Sequence, residues 1–226
     1  MERAEQYPRT ESQELKNEAL AVYNELIKRP EISEALVLLE KLPRHLRYHG
    51  KAHTEDVIME TILFALSDGA SPEVVEQQAV SAAWHDVGFI EQDTENEPIA
   101  VTLFRKSEAY KLLSEDKREE VMANIMDTQV IVKNGSPFLL KQQSEIGYAL
   151  DGDVSNFGRE DFFEKRAKVA EELGLNLEDP EVRKKFYKFA LELLRNHNWK
   201  TESARALRQA QKEKNLLRAE EEYSQL

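Results

Sequence analysis

The sequence has the length and composition of a folded protein and carries a clear excess of acidic residues. Its 226 residues are 41% hydrophobic and include only 8 glycines and 7 prolines. These values exclude collagen-like, low-complexity and wholly disordered chains. The formal net charge is −12 at pH 7. Because this charge repels a polyanion, the composition argues against a general nucleic-acid-binding protein.

The absence of cysteine restricts the chemistry that the chain can perform. Without cysteine it has no disulfide, no thiolate nucleophile and no zinc-ribbon site, so any metal must be held by histidine, aspartate and glutamate. The first twenty residues are rich in charge and lack the apolar segment of a secretory signal. No apolar run approaches the roughly 20 residues that span a bilayer. We therefore expect a cytoplasmic protein that makes no contact with a membrane.

Apolar residues recur at three- and four-residue spacing along most of the chain, which predicts an all-α fold. Prolines separate the helical segments, and Ser71 followed by Pro72 is typical of a helix start. The only β-branched run, residues 128–135, is too short to make a convincing strand. The predicted helices cover residues 12–28, 32–42, 53–67, 72–86, 98–113, 116–127, 137–150, 159–173, 180–195 and 201 to about 222.

Three separate segments concentrate the side chains that bind divalent metals. They are YHGKAHT from residue 48, the pair His85-Asp86, and DGD at residues 151–153. Imidazole and carboxylate groups suit a divalent transition metal, and separate helices can bring such groups to one point. The pair His85-Asp86 ends the most apolar predicted helix, where burial is costly unless a partner neutralises the charge. On its own, this pair is also compatible with a helix-terminal histidine beside a hydrogen-bonded aspartate.

The order and surroundings of these segments resemble the histidine-aspartate (HD) domain superfamily of metal-dependent phosphohydrolases. The likeness covers about half of the chain and rests on the motifs YHGKAHTEDV, SAAWHDVGF, NEPIAV and DGDVSNFG. The stretches FFEKRAKVAEELG and HNWKTESARALRQAQKEKN are similar to an uncharacterised bacterial branch of predicted HD phosphohydrolases. The resemblance implies that His53, His85, Asp86 and Asp153 are the metal ligands. Asp151 stays open as an alternative to Asp153, with an Asx turn as its structural explanation.

The resemblance also implies a domain organisation. We expect one HD-domain helical bundle, with residues 46–160 as the metal-binding core. Residues 1–45 form N-terminal helices that pack on this core, and residues 161–226 form C-terminal helices. Because the last ten or so residues contain few apolar positions, we expect them to fray.

His49 is a candidate general acid. The YHxxxHT pattern is similar to the opening motif of cyclic-nucleotide phosphodiesterases, in which the first histidine protonates the leaving oxygen and the second binds metal. An imidazole with a pKa near 6.5 suits this role at neutral pH. Alternatively, His49 stacks on Tyr48 or only positions a ligand.

The loop after the HD pair is acidic and contains Glu91, Asp93, Glu95 and Glu97. It forms either an acidic rim at the metal entrance or a solvated loop. Glu97 is the candidate with a catalytic role, because the resemblance places its carboxylate where it can orient bound water. Asp86 is predicted to be catalytic as well as a ligand.

Four residues are candidate contacts to the substrate. Thr128 lies at the end of a predicted helix where members of the superfamily commonly have a threonine near the pocket. Arg205 lies on a basic face of the last helix, with Lys200 just before it, and either can bind a phosphate or belong to a solvated surface. His197 is either a site residue or an ordinary histidine at the end of a helix.

Together these features predict a metal-dependent phosphohydrolase. It would use metal-activated water on a phosphomonoester or phosphodiester of a small, nucleotide-like substrate. The expected metal is Mn, Fe, Zn, Co or Ni, with a second, labile Mg or Mn possible. One alternative is a metal-bound protein that senses a nucleotide without turnover. Another is a di-iron oxygenase, which is disfavoured because no histidine occurs from Val87 to Asn196.

Overall fold

A computed structural model describes residues 11–92, 95–133, 135–139 and 143–226. About 70% of the chain is helical, which confirms the all-α fold. Within the described residues the remaining regular structure is two one-turn 3-10 helices, Val87–Ile90 and Ser155–Gly158, and one hairpin of β1 (Val130–Lys133) and β2 (Ser136–Leu139). The helices are α1 (Gln13–Leu26), α2 (Pro30–Leu39), α3 (Lys51–Ser67), α4 (Pro72–Trp84), α5 (Asn96–Lys106), α6 (Glu108–Leu112), α7 (Glu115–Asp127), α8 (Tyr148–Asp153), α9 (Phe162–Glu172), α10 (Pro180–Asn196) and α11 (Glu202–Ser224).

Several helices begin at the signals that the sequence contains. The side chain of Ser71 accepts a hydrogen bond from the amide of Val74 at the start of α4, and Thr201 caps α11 in the same way. Proline occupies the first position of α2, α4 and α10, where its missing amide hydrogen costs nothing. None of the described helices is both long and apolar enough to cross a membrane.

Helices α3 and α4 lie at the centre of the fold. Ile58 and Ile62 of α3 and Trp84 of α4 are fully buried in a core that α1, α2, α5 and α7 complete. Phe64, also on α3, faces a second apolar cluster formed with α9, α10 and α11. Helix α3 therefore contributes buried side chains to both apolar clusters.

Gly152 allows α8 to approach α3 closely. A β-carbon at this position would lie 2.4 Å from Oγ1 of Thr61 and 3.0 Å from the carbonyl oxygen of Val57, which is closer than packed atoms allow. Only glycine fits there. The contact brings the end of α8, with Asp153, against the middle of α3.

Two predicted helices are corrected by the structure. Residues 98–113 are divided into α5 and α6 by Ser107, whose extended backbone and side-chain bond to the amide of Tyr110 start a new helix. Residues 137–150 are not one helix. β2 pairs antiparallel with β1, and α8 begins only at Tyr148. The β-branched run therefore forms a strand, because β2 supplies its backbone partners and packs against α10.

The end of the chain is ordered and packed rather than frayed. Helix α11 continues to Ser224. Glu222 forms an ion pair with Arg166 of α9, with 2.6 Å between the carboxylate oxygen and the guanidinium nitrogen. The guanidinium of Arg218 lies 3.8 Å from the ring centroid of Phe163. These contacts hold the last turns of α11 in place, although this segment contains few apolar residues and was therefore predicted to fray. The proposed divisions at residues 45 and 160 stay predictions.

Candidate metal centre

The ends of three helices bring four of the predicted site residues together. His53 lies in the first turn of α3, His85 and Asp86 follow α4, and Asp153 is the last residue of α8. Nε2 of His53 is 3.2 Å from Oδ1 of Asp153 and 3.6 Å from Oδ2 of Asp86. Nε2 of His85 is 3.1 Å from Oδ2 of Asp86 and 3.5 Å from Oδ1 of Asp153. One ligand atom from each of His53, His85 and Asp153 lies within 4.8 Å of the others, so this group could hold a metal ion.

The orientation of His85 fits metal coordination. Its Nδ1 lies 2.7 Å from the carbonyl oxygen of Ala82, which can only accept, so Nδ1 carries a hydrogen and Nε2 faces the carboxylates. Nε2 of His85 and Oδ2 of Asp86 are buried and lie 3.1 Å apart, but their geometry is not that of a hydrogen bond, and neither atom has another hydrogen-bond partner in the described part of the chain. Two unpaired buried polar atoms are costly unless a further group satisfies both. A cation between them would do so.

The cluster also perturbs the proton affinities of its members. Burial favours neutral His85, but the charges of Asp86 and Asp153 outweigh it and raise the pKa of His85 well above its usual value. Burial opposes ionisation of Asp153, yet hydrogen bonds with His53 and His85 hold the pKa of this carboxyl below its usual range. The pKa of Asp86 is lowered for the same reason, with His85 as its main partner. Protons therefore compete with a metal for the same atoms.

Asp151 and Asp153, which the sequence left open, have different environments. Asp151 faces α11, where it accepts hydrogen bonds from the amide of Lys200 at 2.9 Å and from the amide and hydroxyl of Thr201, both at 2.7 Å. Burial raises the pKa of Asp151 to about 6. Its two oxygens are thus occupied in fixing the start of α11, whereas Asp153 faces both histidines.

We expect Asp153→Asn and Asp151→Asn to separate these two roles. Asp153→Asn should remove the metal while the helical content is retained, because it deletes a charged ligand. Asp151→Asn should keep the metal but lower the free energy of unfolding by roughly 1–3 kcal/mol, since an amide nitrogen would face a backbone donor. Metal analysis and denaturant unfolding of both variants measure this. Loss of metal from Asp151→Asn with retention in Asp153→Asn would reverse the assignment.

His49 lies beside the cluster of His53, His85, Asp86 and Asp153. A carboxylate from a distant helix holds its ring. Its Nδ1 pairs with Oε1 of Glu172, and Oε2 of Glu172 accepts the amide hydrogens of Tyr48 and His49 at 2.7 and 3.0 Å. The ring stacks on Phe89 with centroids 4.7 Å apart. Burial lowers the pKa of His49, but the bond to Glu172 and the charge of Asp86 raise it more, so the net pKa is above the usual value.

A cavity of about 450 Å³ opens directly onto the cluster. Its polar end is formed by His49, Asp86, Asp153, Glu95 and Glu97. Burial, followed by the charges of Asp86 and Asp153, raises the pKa of Glu97.

Thr128 and the other residues of the acidic loop differ in position. Thr128 also lines the cavity, although its hydroxyl donates a 2.8 Å hydrogen bond to the carbonyl oxygen of Ile125. Glu91 does not belong to the lining. Asp93 lies outside the described residues.

Three predicted substrate contacts are not in the described lining of this cavity. Nζ of Lys200 donates to the carbonyl and hydroxyl oxygens of Ser144 at 2.8 and 2.6 Å. Arg205 pairs with Glu202 on the surface of α11. His197 is buried against Phe157 and Trp199, and burial together with the charge of Lys212 lowers its pKa to about 3. Lys200 and Arg205 thus form contacts within the protein, whereas both ring nitrogens of His197 are buried without a hydrogen-bond partner in the described part of the chain.

The sequence reasoning missed Glu172 and the apolar wall of the cavity. Glu172 lies in FFEKRAKVAEELG, a stretch that carries the family resemblance, but nothing local distinguishes it from Glu164 or Glu171. The apolar wall comes largely from α9 and α10. The sequence predicts a helix over residues 180–195, but nothing in that prediction assigns the helix to a cavity.

Comparison with protein-family models, with curated proteins and with solved structures found no match.

Proposed function

We propose that this chain is a metal-dependent phosphohydrolase of the HD superfamily that cleaves a small phosphate ester. The observation that carries the proposal is the convergence of His53, His85, Asp86 and Asp153 at the end of a cavity, with His49 beside them. The unpaired atoms of His85 and Asp86 suit a cation. A mixed imidazole and carboxylate set favours Mn, Fe, Zn, Co or Ni.

Each residue near the cluster has a distinct role in the proposed reaction. A bound divalent metal would lower the pKa of water and would neutralise charge on a phosphoryl group. His53, His85, Asp86 and Asp153 would hold it. Glu97 lines the same end of the cavity, and its carboxylate can orient a water molecule by accepting a hydrogen bond. A second, labile Mg or Mn would rely on carboxylates such as Asp86 and Glu97.

His49 would protonate the oxygen of the departing alcohol. The bond between Nδ1 and Glu172 fixes the ring and favours the protonated form, which leaves Nε2 as the atom that donates. A general acid with a pKa near the working pH accelerates such a step most when the leaving group is a poor one. The arrangement thus provides both the acid and a partner that orients it.

The two alternative functions from the sequence stay predictions and are separated by their products. A nucleotide-sensing protein would bind a ligand without releasing phosphate, and a di-iron oxygenase would consume oxygen. The nucleotide-like substrate and the cytoplasmic location also stay predictions.

The test is hydrolysis of p-nitrophenyl phosphate by the purified protein after loading with Mn, Fe, Zn, Co or Ni. We expect metal-dependent phosphate release that continues without oxygen and that added Mg or Mn increases. Asp153→Asn is the matched control, because it should lose metal and activity together while circular dichroism is unchanged. Oxygen consumption on an organic substrate, together with a mixed-valence di-iron signal in electron paramagnetic resonance, would contradict the proposal.

A further inference from the structure

The cavity beside the histidine and aspartate cluster has few groups that could bind the negative charges of a second or third phosphate. Arg166 is the one lysine or arginine among the described residues that line it. Its guanidinium is already paired with Glu222 at 2.6 Å and lies 4.1 Å from the ring centroid of Tyr187. Glu95 and Glu97 add negative charge to the cavity. Beyond the metal, a chain of several phosphates would therefore find only His49 and the already paired Arg166 as cationic partners among the described lining residues, and it would be repelled by Glu95 and Glu97.

The opposite wall of the cavity is apolar. It is built from aromatic and aliphatic side chains of the segment after α8, of α9 and of α10, among them Phe157, Phe162, Val169, Phe186 and Leu193. A concave apolar surface with a few polar groups at one end is typical of sites that bind the carbon skeleton of a small molecule. The volume of about 450 Å³ falls in the range of such sites.

The mouth of the cavity is apolar as well. Val132 of β1 is 62% exposed and Phe189 of α10 is 38% exposed, and both line the cavity. Val130 is 41% exposed beside them. Apolar side chains grouped at a pocket entrance gain free energy when a ligand covers them. Apolar side chains thus belong to both the exposed and the buried parts of the cavity lining, which also includes His49, Asp86 and Asp153.

We infer that the cavity binds the alcohol part of the substrate, and that this alcohol is a bulky, uncharged alkyl or aryl group. The inference rests on the proposed function, because the proposed function places the phosphate at the metal-binding residues. The ester oxygen then lies near His49, and the carbon skeleton lies against α9 and α10. The preferred substrate is a phosphomonoester of an apolar alcohol rather than a nucleoside polyphosphate.

The first experiment measures binding and hydrolysis along a homologous series. Metal-loaded protein is titrated calorimetrically with n-alkylphosphonates from methyl to octyl, which cannot be hydrolysed. The matching alkyl phosphates and the nucleotides AMP and ATP are assayed for phosphate release. We expect the dissociation constant to fall roughly threefold to fourfold for each methylene that is buried. We expect kcat/KM for octyl phosphate to exceed that for AMP and ATP.

A pair of phenylalanine variants tests the location of the alkyl site. Phe189→Ala should weaken octylphosphonate binding about tenfold and leave methylphosphonate binding unchanged. Phe138→Ala is the matched control. Phe138 is 37% exposed on the neighbouring hairpin, but it does not belong to the cavity lining, so this substitution should change neither constant.

The outcomes separate this inference from the proposed function. Binding that is independent of chain length, or a preference for AMP or ATP over octyl phosphate, would overturn the inference, while phosphate release from any ester would still support a phosphohydrolase. Conversely, chain-length-dependent phosphonate binding without hydrolysis of any ester would support the apolar site and overturn the phosphohydrolase. Equal effects of Phe189→Ala and Phe138→Ala on octylphosphonate binding would overturn the location.

Discussion

Replacement of His85 by alanine should remove the metal and abolish most of the activity. His85 contributes a buried imidazole that faces both Asp86 and Asp153, at 3.1 and 3.5 Å. Metal catalysis of phosphoryl transfer contributes several kcal/mol to the transition state, so kcat/KM should fall by about a thousandfold or more. Asp86→Ala should have the same effect. Elemental analysis of the purified variants, together with p-nitrophenyl phosphate hydrolysis, measures both losses.

His45→Ala provides the control for this prediction. His45 is an exposed histidine on the segment before α3, so its replacement should leave metal content and activity unchanged. Circular dichroism of all three variants checks that the helices remain. Full metal content in both His85→Ala and Asp86→Ala would contradict the assignment of the cluster as the metal centre.

Removal of the His49 imidazole should leave the metal bound but slow the reaction. The loss should be larger for substrates whose leaving oxygen is more basic and needs protonation. General acid catalysis contributes about 10²–10⁴-fold, so kcat for an alkyl phosphate should fall in this range in His49→Ala. p-Nitrophenyl phosphate needs little protonation of its leaving oxygen and should be affected much less. Equal losses on the two substrates would instead indicate that His49 only positions a ligand.

Glu172→Gln should move the alkaline limb of the pH profile for alkyl phosphates to lower pH. The carboxylate raises the pKa of His49, and the protonated form of His49 is the active one. Activity is therefore lost as the pH rises through this pKa, and removing the carboxylate lowers the pH at which the loss occurs. A glutamine still offers a carbonyl oxygen to the amides of Tyr48 and His49, which limits structural change.

The neighbouring Glu171 supplies the matched control for Glu172. Glu171 is exposed, so Glu171→Gln removes one charge without touching His49 and should leave the limb in place. A merely structural role of Glu172 would lower activity at every pH without moving the limb. Identical pH profiles for Glu172→Gln and the unmodified protein would contradict the role of Glu172 as a positioning residue.

Local features of the chain predicted most of the helices and the residue types of the candidate metal centre. Three- and four-residue periodicity is a property of each helix alone, and proline positions such as Pro72 and Pro180 mark where helices begin. The segments with His53, His85-Asp86 and Asp153 were recognisable because each is a short motif. The hairpin was not predicted. A strand as short as β1 depends on pairing with another strand, and the residues of β1 do not indicate which segment pairs with it.

The sequence alone determined an all-α fold and a thiol-free set of histidines and carboxylates, because both follow from composition, local periodicity and short motifs. Tertiary structure decided which of these groups act together. Asp151 and Asp153 are two residues apart in the chain, yet the packing of α8 directs one toward α11 and the other toward the histidines. Glu172 reaches His49 from 123 residues away, and the apolar cavity combines elements from distant segments. Such contacts depend on how helices pack, and no local pattern encodes them.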